Sequence, residues 1–232
     1  MDVEDFCTHL SDQVDLLVLC NPNNPTSTAI TCGQMRRILD ACLQYGIFVM
    51  VDETYVEFAP QRGGYHLRSP DELLYESDYP AGNFQILRGA GTAAGICGHR
   101  QSGSHQGHQH QEKFPGPSTP WRKFAGRLMF PDDEYIRLTR ELISSERDRM
   151  FQELSGWDSV KVYQPMANFM LVRIRKPDVS SQDLFDHCIR QGLMIRDCST
   201  FPFLDNRYVR FCFMNPEEND RLLKAFREKL EG

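Results

Sequence analysis

Val14-Asp15-Leu16-Leu17-Val18-Leu19-Cys20, followed by Asn21-Pro22-Asn23-Asn24-Pro25-Thr26, is the stretch whose pattern decides the fold. Its first seven residues form a short apolar run, the signature of a strand buried on both faces, and the Asn/Pro cluster ends that run in a rigid turn. Over residues 31–45, apolar side chains recur at helical spacing, among them Met35, Ile38, Leu39 and Cys42. Gly46 then stands where a helix C-terminus favours a left-handed residue. Residues 47–52 (IFVMVD) read as a second buried-type strand and residues 84–87 as a weaker third. Strand, helix, strand with short connections predicts a mostly parallel α/β sheet.

Beyond residue 125 the pattern changes. Residues 132–154 predict a long helix with Tyr135, Leu138, Leu142, Met150 and Leu154 among its apolar positions and dense charge between them. Shorter strands follow at 169–174 and 208–213, with helices at 181–191 and 216–230, an α+β layout. The division falls near residue 130, giving a first domain over 1–130 and a small C-terminal domain over 131–232. Between them, residues 89–120 hold Gly, Ser, Gln, Pro and four histidines with no period of 2 or 3.6, and nothing there can build a core. This aberrant stretch is expected to be disordered.

The composition, 41% hydrophobic and 25% charged over 232 residues, is that of an ordinary globular protein. The net charge of −6 argues against a general nucleic-acid partner, which needs clustered Lys and Arg. No run approaches the roughly 18 apolar residues of a membrane helix, and the acidic start is unlike a signal peptide. A cytoplasmic protein acting on a charged small molecule is the expectation. The eight cysteines form no CxxC pair, so zinc-ribbon and thioredoxin readings lack their spacing.

Two motifs carry the chemistry. The Asn21–Thr26 turn sits directly after a buried strand, the edge of an open α/β sheet where ligands bind. Asp52-Glu53-Thr54-Tyr55 ends the next strand and faces the same edge. A carboxylate at Asp52 suits a cationic ring nitrogen, and a phenol at Tyr55 suits a ring oxygen. Alone, each motif also reads as a local cap or a packed aromatic.

Together, NPNNPT followed by VDETYVEF resembles the fold-type I, pyridoxal-phosphate-dependent class I/II aminotransferases, in the branch of histidinol-phosphate aminotransferase and threonine-phosphate decarboxylase. The segment 192–219, GLMIRDCSTFPFLDNRYVRFCFMNPEEN, is similar to that branch's small domain. The resemblance implies a partial large domain with a mostly parallel sheet, then a small α+β domain. It implies that Asn24 and Tyr55 bind the 3-oxygen of pyridoxal phosphate and that Asp52 holds the pyridine nitrogen. Arg210 would take a substrate carboxylate through its guanidinium fork, with Arg196 as a further candidate for an anionic group. It also implies a small amino-acid or phosphorylated amine substrate and a homodimer.

The family pattern breaks at one point. Its strand ending in Leu-Arg runs into a Ser-Lys motif whose lysine forms the Schiff base with the cofactor. Here Leu87-Arg88-Gly89 continues as Ala90-Gly91-Thr92-Ala93-Ala94-Gly95, without a lysine. Lys113 and Lys123 are the nearest and lie in a different context. Without an amine the cofactor is not held covalently, so no catalytic residue is assigned.

Read one base out of frame, residues 91–96 can encode GLRLGF, the family's glycine-arginine signature, and residues 105–113 can encode IKDINTKKN. Shifted once more, residues 115–122 can encode PWTINTLA. The expectation is that residues 90–122 are out-of-frame translation with the lysine segment deleted. On that reading His99, His105, His108 and His110 are an accidental loop and no metal tract. The phosphate-binding amides and the ring-stacking aromatic of the family would precede Asn21, where only twenty residues stand. The alternatives are a threonine-phosphate decarboxylase-like protein or a non-catalytic interaction domain built on the same scaffold.

Overall fold

A computed structural model describes residues 2–60, 64–65, 84–90, 94–98 and 132–232. The chain divides into two compact units, one of residues 1–22 and 30–135, the other of residues 23–29 and 136–232.

In the first unit, α1 (Val3–Thr8) begins where the Asp2 carboxylate accepts from the Glu4 and Asp5 amides. β1 (Leu16–Cys20) leads through the Asn/Pro turn to α2 (Cys32–Gln44). Helix α2 starts at a full capping box, in which Thr31 and Gln34 satisfy each other's backbone amides. Gly46, at φ +71, turns the chain out of the helix in the left-handed conformation that glycine alone adopts without cost. β2 (Phe48–Asp52) follows, then a single 3₁₀ turn at Val56–Phe58.

The sheet order is β1-β2-β3-β4, with β3 at Phe84–Ala90 and β4 at Ala94–Gly98. β1 and β2 run parallel in a register that pairs Leu16 with Phe48 and Cys20 with Asp52. Both chemical motifs therefore leave the sheet at its carboxyl edge. β3 is parallel to β2, and β4 is antiparallel to β3. The core lies between sheet and helix: Met35, Ile38, Leu39 and Cys42 of α2 pack with Ile47, Val49 and Val51. Each such fully buried aliphatic contributes on the order of 2 kcal/mol.

Two expectations change here. β1 is buried on one face only: Leu17 and Leu19 pack on the core, while Leu16 and Val18 are 49% and 59% exposed. Within the stretch expected to be disordered, Ala90 and residues 94–98 take part in a strand pair. Such a pairing is made by backbone hydrogen bonds, which every residue but proline can supply. Residues 91–93 and 99–122, with the four histidines and Lys113, lie outside the described residues, as does Lys123.

The second unit holds α3 (Asp133–Ser155, from residue 136 onward), β5 (Val160–Val162), β6 (Phe169–Ile174), α4 (Ser181–Ile189), β7 (Arg196–Asp197), β8 (Tyr208–Cys212) and α5 (Pro216–Leu230). Its sheet is antiparallel throughout, in the order β5-β6-β8-β7. Met150, Leu154, Phe169, Leu184, Leu222 and Phe226 are buried below 2% exposure, and Phe211 meets Phe226 edge to face at 5.6 Å. In α3 the apolar stripe is buried only toward its C-terminus, since Leu138 and Leu142 are exposed.

A polar knot ties α3 to α5. The buried Asn219 amide donates to Glu146 Oε2 (2.7 Å) and to the Met214 carbonyl (2.9 Å), and its oxygen accepts from the Met214 amide. Arg149 grips both Glu146 oxygens at 3.0 and 2.7 Å. Those Arg149 hydrogen bonds, helped by Asn219, outweigh burial and hold the Glu146 carboxyl below its ordinary range. Among the described residues no helix is long and apolar enough to cross a membrane.

Candidate functional site

At the sheet edge of the first unit, the Asn/Pro turn is fastened by its own side chain. Fully buried Asn21 donates from Nδ2 to the Ile30 carbonyl (3.0 Å) and accepts the Ile30 amide at Oδ1 (2.7 Å), closing the ends of the loop. Its backbone amide donates to the Asp52 carbonyl at 2.8 Å, which joins the turn to the end of β2. The bonds before Pro22 and Pro25 are both cis.

Asp52 sits half-buried at that edge. Its Oδ1 accepts the Thr54 amide (2.9 Å) and the Thr54 hydroxyl (2.5 Å). Among the described residues its Oδ2 meets only the Cys20 thiol, at 3.9 Å. One oxygen is thus held, and the other has no strong donor among the described residues. Tyr55, partly buried, is three residues on at the entry to the 3₁₀ turn.

In the second unit, residues 23–29 are anchored by Ser27, a buried residue at φ 58. Its hydroxyl donates to the Phe169 carbonyl at 2.7 Å and accepts the Ala167 amide at 3.0 Å. Met166 donates its amide to the Ser27 carbonyl at 2.8 Å. This anchorage places Asn24 beside β8, where its Oδ1 accepts from Arg210 Nη1. The Asn24 amide hydrogens remain available among the described residues. Arg210 also lies over the Phe169 ring, 4.7 Å from its centre, and its buried Nε has no acceptor.

Arg196 stands directly opposite Arg210 in the β7–β8 pair. Like charges facing across a ladder repel, yet neither guanidinium forms an ion pair among the described residues. Arg196 makes a long contact to Thr200 Oγ1 (3.4 Å) and lies 5.8 Å from the Phe201 ring centre. Both arginines line a cleft of about 570 Å³ with Met194, Asp197, Thr200 and Cys212. Burial, with the nearby Arg210 cation opposing it, pushes the Cys198 thiol up to about 11, so this cysteine is no ready nucleophile.

Five sequence-predicted residues are therefore placed in pairs or groups within their units: Asp52 with Tyr55 at one sheet edge, Asn24 with Arg210 and Arg196 at the other sheet. Thr54, Cys20, Asn21 and Ser27 were not singled out from the sequence. Thr54 had a partial signal, since an aspartate commonly accepts the backbone amide two residues on, but nothing in the sequence points to its hydroxyl. Ser27 had none, because its partners are 140 and 142 positions away. Among the described residues no cluster of His, Cys, Asp or Glu could hold a metal.

The family model of aminotransferase class I and II matches residues 1–226, and the chain belongs to that family. It is 27% identical over 229 residues to a threonine-phosphate decarboxylase of Salmonella typhimurium, a match covering 96% of this chain and 60% of that protein. It is 24% identical to a histidinol-phosphate aminotransferase of Methanosphaera stadtmanae, covering 100% of this chain and 61% of the relative. The crystal structure of the histidinol-phosphate aminotransferase of Clostridium acetobutylicum superposes with a TM-score of 0.75 at 22% identity, over 100% of this chain and 68% of that one. The chain thus spans about 60% of the length of these curated relatives.

Proposed function

We propose that the chain is part of a pyridoxal-phosphate-dependent aminotransferase that binds a phosphorylated amine or amino acid, and that as written it does not catalyse the reaction. The observation that carries the substrate class is the arginine pair. Two guanidiniums opposed on one ladder, without carboxylate partners among the described residues, and one with a buried Nε that has no acceptor among them, favour an anion between them. Arg210 would take a carboxylate and Arg196 a second anionic group, such as a phosphate. The relatives on both sides, a threonine-phosphate decarboxylase and a histidinol-phosphate aminotransferase, carry phosphate in their substrates' names.

Each residue, within its own unit, has the chemistry the cofactor's ring calls for: Asp52 has a carboxylate oxygen without a strong donor among the described residues, for a protonated ring nitrogen, Tyr55 a phenol for a ring oxygen, and Asn24 amide hydrogens for the same oxygen. Bound there, pyridoxal phosphate supplies an electron sink for bonds at the substrate's α-carbon, a sink that depends on the ring nitrogen remaining protonated. What the chain lacks is the amine that would bond to it and move protons: between Leu87 and Gly98 there is no lysine. We assign that loss, with the frame-shifted words after it, to the gene's reading frame rather than to a redesigned site.

Calorimetric titration with O-phospho-L-threonine and with histidinol phosphate tests the substrate reading. Replacement of Arg210 or Arg196 by Gln is expected to weaken binding about ten-fold each, the value of one charge-assisted hydrogen bond. Unchanged affinity in both variants contradicts it.

A further inference from the structure

We infer that Thr54 is the positioning residue of the Asp52 carboxylate: it takes one carboxylate oxygen with two donors, so that the other is the one presented to a cationic heterocyclic nitrogen. The inference deepens, and rests on, the cofactor reading of Asp52.

An ionised carboxylate has about four acceptor sites over its two oxygens. Here their use is lopsided. Oδ1 accepts both the amide (2.9 Å) and the hydroxyl (2.5 Å) of the same residue, Thr54. Among the described residues Oδ2 has only a thiol at 3.9 Å, a weak donor at a long distance. That thiol lies closer to the Pro22 carbonyl, at 3.2 Å. The backbone at this point is already fixed, because the Asp52 carbonyl accepts the Asn21 amide and Asp52 is paired in both β1–β2 and β2–β3 registers. What remains free is rotation of the side chain, and the two Thr54 bonds remove it.

A local turn would need only the Thr54 amide. The hydroxyl adds a second bond to the same oxygen, and its effect is to choose between the two oxygens. A carboxylate aimed by such bonds meets a ring nitrogen without first being ordered, which is the advantage of a preorganised site. Thr54 would touch neither substrate nor cofactor, and acts through Asp52.

Thr54→Val keeps the β-branch and the backbone amide and removes only the hydroxyl; Thr54→Ser restores a hydroxyl. Crystal structures of the full chain in the three forms are expected to show the Asp52 carboxylate turned in the valine variant and in place in the other two. Pyridoxamine 5′-phosphate, which cannot bond to a lysine, reports non-covalent binding. Its affinity is expected to fall about ten-fold in Thr54→Val, the scale of one hydrogen bond to a charged group, and to recover in Thr54→Ser. With ¹⁵N-labelled ligand, the ring-nitrogen resonance should move toward its unprotonated position in the valine variant alone. An Asp52 carboxylate unmoved in Thr54→Val overturns the inference whatever the ligand does. If the carboxylate turns but no form of the chain binds pyridoxamine phosphate, the positioning role is upheld and the cofactor reading fails.

Discussion

At the scale of single residues, the chemistry rests on which donors and acceptors are taken and which are left open. Asn24, Asp52 and Arg210 stand out in the sequence through the resemblance of NPNNPT, VDETYVEF and the segment 192–219 to the family, since alone each also reads as a cap, a turn residue or a surface charge; their binding roles are part of the proposal. Thr54 and Ser27 act on other residues, and a sequence shows a hydroxyl without showing what it holds. Glu146 illustrates the same limit: it looks like one more solvated charge on a long helix, yet it is 4% exposed and bonded to Arg149 and Asn219. Its carboxyl is held below the ordinary glutamate value, chiefly by Arg149, so the stabilisation it gives is complete above that value. It is lost as the pH falls below about 4.3 and through the lower folded-state value. Urea unfolding is therefore expected to show Glu146→Gln about 1–2 kcal/mol less stable at pH 7, with the difference closing in acid. A difference that stays constant with pH would show that the charge is not what matters.

At the scale of elements, the apolar runs and helical periods located most of the strands and helices of both units, since burial imposes those periods directly. α1, β4, β5 and β7 were not foreseen. A two-residue strand such as Arg196–Asp197 or a three-residue one such as Val160–Val162 is too short to show a period. Whether a strand's second face is covered is also not written in the strand, as Leu16 and Val18 show. The turn after β1 was read correctly as rigid, but not how residues 23–29 are held. Ser27 does this through its hydroxyl, bonded to the Phe169 carbonyl and the Ala167 amide. Ser27→Ala removes both of these buried hydrogen bonds, and is expected to cost about 1–3 kcal/mol in thermal or urea unfolding. It should also loosen Asn24 from Arg210. A stability change under about 0.5 kcal/mol, the size of a neutral surface substitution, would show that the turn is held by other means.

At the scale of the whole molecule, family membership and the missing amine point in different directions. The class I and II aminotransferase family covers nearly all of the chain. The segment that in the family pattern carries the lysine reads Gly89-Ala90-Gly91-Thr92-Ala93-Ala94. Residues 89–120 have neither period nor aliphatic side chains enough for a core, and the proposed shift of reading frame would account for both features. A chain of this kind is expected to recognise pyridoxal phosphate without bonding to it. The direct measurement is to incubate the full chain with pyridoxal phosphate, reduce with sodium borohydride, digest, and locate any pyridoxyl-lysine by mass spectrometry. Reversible binding with no stoichiometric lysine adduct is the expected result; a single stoichiometric adduct at Lys113 or Lys123 would contradict it.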